Sequence, residues 1–267
     1  MQNYRILYTS LCAKGLVRAK NEDNLLLGDT YLSASSSELP LSTGSFVTSG
    51  KLRDRMCCTA VFDGVGGEAK GEVASHLSAK ALQETLQKGL PTRQKHIFCR
   101  PDYRAISGDL CLAMNRKVLH YAGRHNISFM GSTVAGICFS DKGLLGFNVG
   151  DSRCYRIGRD GIQQVSKDHS VMEGISGKSS LTQCIGIPES EFAIQPDAFW
   201  ERYSDGMRFL LCTDGVTGLL SDRLLQKILV KPSSDREKAL EISEQVLKRG
   251  APDNYSLILL QIRAERS

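Results

Sequence analysis

Acids recur in one local setting along this chain. Asp63 ends the apolar run Thr59-Ala60-Val61-Phe62 and is followed by Gly64, Gly66 and Gly67. Asp151 follows Phe147-Asn148-Val149-Gly150, and Asp214 follows Leu210-Leu211-Cys212-Thr213. Asp253 stands just before the run that starts at Tyr255, and Glu22 and Asp23 stand before Leu25-Leu26-Leu27. An acid at a strand end lies on the rim of a sheet, and several strands can bring such acids together. Gathered carboxylates repel one another and resist burial unless cations hold them, so this rim points to metal. Oxygen donors alone favour Mg²⁺ or Mn²⁺ over zinc, and no Cys-x-x-Cys or His-x-x-x-His spacing competes. Taken singly, each acid can also be read as a turn cap: Asp63-Gly64 as a hairpin turn, and Arg18 to Asn24 as a charged surface turn.

The elements that would carry these acids can be read from periodicity. Strands are expected at Tyr4 to Ser10, Met56 to Phe62, Phe209 to Thr213 and Tyr255 to Ile262. Ser132 to Phe139, Gly143 to Val149 and Arg153 to Ile157 read as three consecutive antiparallel strands, with Gly161 to Val165 continuing the meander. Helical spacing covers Glu72 to Lys88, through Val73, Ala74, Leu77, Ala81, Leu82 and Leu86, and stops at Gly89 and Pro91. A second helix is expected over Asp102 to Tyr121, with Ile106, Leu110, Ala113, Met114, Val118 and Tyr121 inward and Gly123 at its end. Asp222 to Val230 and Asp235 to Arg249 also look helical. Residues 33 to 50, rich in Ser, Thr and Gly, read as a flexible insertion or ragged hairpin, and 166 to 190 as irregular. With no internal repeat and no linker, 1–267 reads as one α+β domain of stacked sheets, since its central strands are joined by short hairpins.

Composition narrows the classes. The chain has 267 residues, 41% hydrophobic and 24% charged, which is ordinary for a globular protein. No run is long and apolar enough for a transmembrane helix, and Met1 to Leu11 does not read as a signal peptide, so a cytoplasmic protein without membrane association is expected. Nine scattered cysteines favour reduced thiols over disulfides or zinc. Cys57 and Cys58 should face opposite sides of a strand. The net charge of +5 is dispersed, with small basic groups at Lys51 to Arg55 and Arg93 to Arg104. That reads as solvated surface suited to an anionic substrate, not as a nucleic-acid footprint.

Six motifs occur in a recognisable order: Arg18-x-x-Asn21-Glu22-Asp23, Val61-Phe62-Asp63-Gly64-Val65-Gly66-Gly67, Gly131-Ser132-Thr133, Val149-Gly150-Asp151-Ser152-Arg153, Leu211-Cys212-Thr213-Asp214-Gly215 and Pro252-Asp253-Asn254. The chain from about Tyr8 to Ile262 resembles the metal-dependent serine/threonine protein phosphatases of type 2C, especially their bacterial branch. The resemblance implies a sandwich of two antiparallel sheets with a helix pair outside each. It implies that Asp63 bridges two Mn²⁺ or Mg²⁺ ions, with the Gly64 carbonyl on one of them. Asp214 and Asp253 would hold the first ion, and Glu22 would help hold the second with Asp23 beside it. Asp151 would serve a third ion together with Asp214. Arg18 would grip phosphate, Ser152 and Arg153 would support the Asp151 turn, and the partners would be proteins phosphorylated by a Ser/Thr kinase and met by a monomer.

Two departures bear on these expectations. Where some members of the family place a histidine after Asp-Gly this chain has Val65, leaving His169 as either a proton donor or a structural residue. The flap before Leu181-Thr182-Gln183-Cys184-Ile185-Gly186 looks shortened, with Val171 to Ser180 glycine-rich. Three functions therefore stand at this point: a phosphoserine/phosphothreonine phosphatase, a phosphatase of small esters, and a non-catalytic regulatory or phosphoprotein-binding module on the same fold. The acids present at all five of the family's positions favour an enzyme.

Overall fold

The structure is a computed structural model that describes residues 4–32, 46–52, 57–66, 70–88, 103–140, 143–159, 161–173 and 178–265. In chain order the elements are β1 (Tyr4–Ala13), β2 (Asp23–Leu27), β3 (Thr30–Tyr31), β4 (Phe46–Leu52), β5 (Cys57–Val65), α1 (Gly71–Lys88) and α2 (Tyr103–Arg124). Then come β6 (Gly131–Ser132), β7 (Val134–Phe139), β8 (Leu144–Val149), β9 (Arg153–Ile157), β10 (Ile162–Gln164), β11 (Ser170–Glu173), β12 (Lys178–Leu181) and β13 (Asp197–Glu201). The chain closes with β14 (Arg208–Cys212), α3 (Asp214–Thr217), α4 (Asp222–Leu229), α5 (Asp235–Leu247) and β15 (Tyr255–Ala264).

Two large antiparallel sheets face each other. One runs β10-β9-β14-β15-β1-β4 and the other β13-β8-β7-β5-β2-β3, with β6 beside the end of β5. Strand alternation explains the layering. On β15, Leu257 and Leu259 point into a cluster shared with Val216, Leu225 and Ile242 of α3, α4 and α5, while Ile258, Leu260 and Ile262 point at the opposite sheet. On β5, Cys58, Ala60 and Phe62 pack under Leu82, Leu110 and Met114 of α1 and α2, and Val61 joins the core between the sheets. The result is a four-layer αββα sandwich in which both sheets are buried on both faces. Cys57 and Cys58 do face opposite sides, and the eight described cysteines are free thiols. No helix among the described residues is long and apolar enough to cross a membrane.

Several local expectations change. β7 and β8 form the expected hairpin, but the next strand does not extend it: β9 pairs with β14 and β10 in the other sheet. Gly150-Asp151-Ser152 is thus a crossing between layers. The acid at Asp63 does not end its strand either, since β5 runs on through Gly64 and Val65 by pairing with β6. Residues 46–50, read as part of a flexible insertion or ragged hairpin, begin an edge strand on β1, whereas 33–45 lie outside the described residues. The stretch read as irregular contains the β11–β12 hairpin, with 174–177 of its flap also outside them. Strand β13, not foreseen, pairs with β8. Gly123 does not end α2. Asn126 does so, taking φ 53 while the Ile127 N–H returns to the Ala122 carbonyl. The expected stop of α1 at Gly89 and Pro91 falls outside the described residues.

Candidate metal centre

The two sheets each bring acids to the same end of the sandwich. Asp23 on β2 and Asp63 on β5 are directly paired in one sheet. Asp214 follows β14 and Asp253 precedes β15 in the other, and Asp151 lies on the connection between the layers. Backbone bonds lock these positions. The Thr133 N–H donates to the Asp63 carbonyl at 2.8 Å, and the Asp63 N–H donates to Thr133 Oγ1 at 3.1 Å. Thr133 Oγ1 in turn meets Ser152 Oγ at 2.7 Å, tying the Asp63 strand to the Asp151 crossing.

A buried hydroxyl pair joins the sheets beneath the acids. Thr213 Oγ1 and Ser256 Oγ both donate to Asp23 Oδ2, at 3.0 and 2.7 Å. Asn254, 3% exposed, holds the loop between β1 and β2. Its Oδ1 accepts from the Glu22 N–H at 2.8 Å, and its Nδ2 donates to the carbonyls of Lys14 and Lys20 at 2.7 and 2.8 Å. Glu22 and Gly64 meet backbone to backbone, with the Gly64 N–H on the Glu22 carbonyl at 3.1 Å. A side chain at Gly64 would not fit, because a Cβ there would lie 2.2 Å from the Gly71 carbonyl oxygen.

Burial and mutual repulsion dominate the electrostatics. Burial pushes Asp63 well above the usual carboxylate range, helped by the charges of Asp23 and Asp214. Burial also raises Asp214, while its hydrogen bond with Asp63 works the other way. Asp23 is raised to about 8, again mainly by burial and against the two hydroxyls. Asp151 is raised to about 7 by burial and by Asp214, and Glu22 is raised by burial and by Glu72. Arg18 lies across the cluster, with Nη2 2.7 Å from Asp253 Oδ2 and half of its side chain exposed. That bond raises the guanidinium further.

The donor set fits a hard divalent cation. It consists of carboxylates, joined in the expectation above by the Gly64 carbonyl, and the buried oxygens Asp23 Oδ1 and Asp214 Oδ1 have no hydrogen-bond partner. The acids lie close enough to shift one another, yet among the described residues no three His, Cys, Asp or Glu side chains already converge as a ligand group. The orphaned oxygens and the shared repulsion carry the fit. Asp23 differs from the others, for one of its oxygens is already committed to Thr213 and Ser256.

The supporting residues fall into place. Arg153 binds Asp168 through Nε and Nη2, the shortest contact being 2.7 Å, and braces the crossing. His169 Nδ1 accepts from the Gly150 N–H at 3.2 Å and the His169 backbone N–H donates to the Gly150 carbonyl at 2.8 Å, so the residue buttresses the Asp151 turn. Burial lowers its pKa, which suits an acceptor at Nδ1. Sequence reasoning missed the clamping roles of Asn254, Thr213, Thr133 and Ser256. The first three sit inside the motifs quoted above. Ser256 showed only as a hydroxyl in an otherwise apolar strand.

A family model described as "Protein phosphatase 2C" matches residues 46–253, a span that leaves Arg18, Glu22 and Asp23 before it. The chain is 26% identical over 266 residues to the serine/threonine protein phosphatase PstP of Mycobacterium tuberculosis, covering 96% of this chain but only 45% of that protein's length. It is 22% identical over 223 residues to the serine/threonine phosphatase stp of Listeria innocua, covering 78% of this chain and 86% of the relative. Among solved structures, the PstP catalytic domain, in complex with two manganese ions, superposes with a TM-score of 0.71 at 24% identity and covers 98% of this chain and 100% of its own.

Proposed function

The chain belongs to the protein phosphatase 2C family, and from that premise we propose that it hydrolyses phosphoserine and phosphothreonine monoesters in proteins with the help of Mn²⁺ or Mg²⁺. The observation that carries the reading is the meeting of acids from both sheets, with Asp23 Oδ1 and Asp214 Oδ1 buried and unpartnered. The similarity to a catalytic domain solved with two manganese ions supports the choice of metal.

Asp63, the Gly64 carbonyl, Asp214, Asp253 and Glu22 would hold two ions, and Asp151 with Asp214 would serve a third. Asp23 contributes its free Oδ1 and, through Oδ2, keeps Thr213 and the Asp214 turn in register with β15. When bound, such ions supply a water acidified to near neutrality and neutralise charge on phosphoryl oxygens. Arg18 orients the phosphate: its planar fork offers donors beyond the one used on Asp253, matched to two phosphate oxygens. Gly64 leaves the rim free of side-chain bulk between Glu22 and Asp63. The reading includes a monomer acting in the cytoplasm on targets of a Ser/Thr kinase.

The test is hydrolysis of a phosphothreonine peptide by purified protein, with EDTA and then with Mn²⁺ or Mg²⁺, beside Asp214→Asn. Turnover that requires metal and is lost in the variant is expected. A folded wild-type protein that binds Mn²⁺ by calorimetry yet turns over neither peptide nor a small phosphate ester would overturn it.

A further inference from the structure

Two apolar residues, Leu16 and Val17, directly precede Arg18 in the chain. Leu16 is 60% and Val17 70% exposed, more than any other large apolar residue described. Single exposed apolar residues need no explanation, and neither would a loose loop tip. This loop is anchored along its length. The Leu16 N–H donates to the Ala251 carbonyl at 2.9 Å. Gly15 turns at φ +77 directly against the Asp253 carbonyl, where a Cβ would come within 2.2 Å. Asn254 holds the carbonyls of Lys14 and Lys20 on either side, and Arg18 is paired with Asp253. Leu16 and Val17 are therefore held in solvent by the segment that carries Asp253.

Apolar surface fixed in water is unfavourable, and covering it during binding recovers that free energy without the cost of ordering a loop. What covers it follows from its place in the chain. Consecutive Cα atoms lie ~3.8 Å apart and an extended peptide advances ~3.3–3.6 Å per residue, so a substrate whose phosphate meets Arg18 has residues within about three places of that phosphate in reach of Val17 and Leu16. We propose that Leu16 and Val17 form an apolar step that selects phosphopeptide segments with a large aliphatic side chain next to the phosphorylated residue. The step rests on the phosphatase reading and adds the class of sequence it prefers.

The test compares two phosphothreonine peptides, one with Leu at the positions flanking the phosphothreonine and one with Ser there, on the full chain with Mn²⁺. The wild type and the double variant Leu16→Gln/Val17→Thr are each assayed, with thermal unfolding of both to show that the fold is kept. The wild type should favour the Leu peptide by about fivefold or more in kcat/KM, expressed in KM, and the variant should bring the ratio to within about twofold. Equal use of both peptides by the wild type, or a preference that survives in the variant, overturns the step while leaving the phosphatase reading intact. Turnover of a small ester but of neither peptide overturns the step and the protein substrate together. No turnover of any phosphate ester by the wild type removes the phosphatase reading itself.

Discussion

Removal of the Asn254 side chain tests how the Arg18 loop is held. Asn254→Ala deletes three hydrogen bonds to backbone groups of residues 14–22. At about 0.5–1.5 kcal/mol net each, the sum is about 1.5–4.5 kcal/mol. Lys20 is exposed and Lys14 partly so, so water replaces part of what is lost, and the expected destabilisation is about 1.5–3 kcal/mol. For a chain of this size that is a fall in Tm of roughly 3–12 °C. Urea unfolding in EDTA measures it free of any contribution from bound metal. The released loop carries Glu22 and Arg18, so Mn²⁺ affinity by calorimetry should weaken and KM for a phosphopeptide should rise. Asn254→Asp keeps the acceptor for Glu22 but loses both donors and adds charge beside Asp253, and it should be at least as damaging. A loss below about 0.5 kcal/mol in Asn254→Ala, with unchanged Mn²⁺ affinity, would refute the clamp.

Arg18→Ala should lower kcat/KM on a phosphopeptide by about 1.5–3 kcal/mol, or roughly 10- to 150-fold, and steady-state kinetics showing no change would remove Arg18 from the site. Gly64→Ala forces a Cβ against the Gly71 carbonyl and should cost about 1–3 kcal/mol in chelator-treated protein, read by urea unfolding. The metal-free protein should lose stability between about pH 4 and pH 8. Asp151 and Asp23 rise from an ordinary 3.8 to about 7 and about 8. The folded state then binds more protons than the unfolded one, and their contribution is complete below 3.8 and lost as pH climbs through the raised values. Denaturation midpoints in EDTA that increase from pH 5 to pH 8 would contradict this, and Mn²⁺ added at pH 8 should restore stability.

The acids were legible in the sequence because a carboxylate beside a buried strand is chemically out of place. The layers were less so. β8 and β9 look like a hairpin because Gly150-Asp151-Ser152 is turn chemistry, and nothing local states that the chain changes sheets there. The change is set at long range, by Asn148 Nδ2 on the Lys167 carbonyl and by His169 on Gly150. β13 was hidden because Asp197–Glu201 is only half-buried and does not alternate clearly. Its signal is shared with a distant residue, since the Phe199 ring packs over Gly146 on β8 where a Cβ would come within 2.1 Å. β4 was masked by its Ser, Thr and Gly content, which an edge strand with one neighbour tolerates.

The hydroxyl pair of Thr213 and Ser256 has a mechanical consequence. It links Asp23 of one sheet to strand ends of the other, at the end of the sandwich where ions would also draw acids from both layers together. Elsewhere the layers meet largely through apolar side chains, which can slide with little directional penalty. Shear between the sheets should therefore be resisted unevenly. With ions bound, the acid-bearing end would act as a hinge pin, and amide exchange from partial opening would begin at the opposite rim, near the β9–β10 turn. Stripped of metal, that end keeps the hydroxyl link but loses the ions' share of the restraint, so β2 and the start of β15 should exchange faster than in the metal-bound protein.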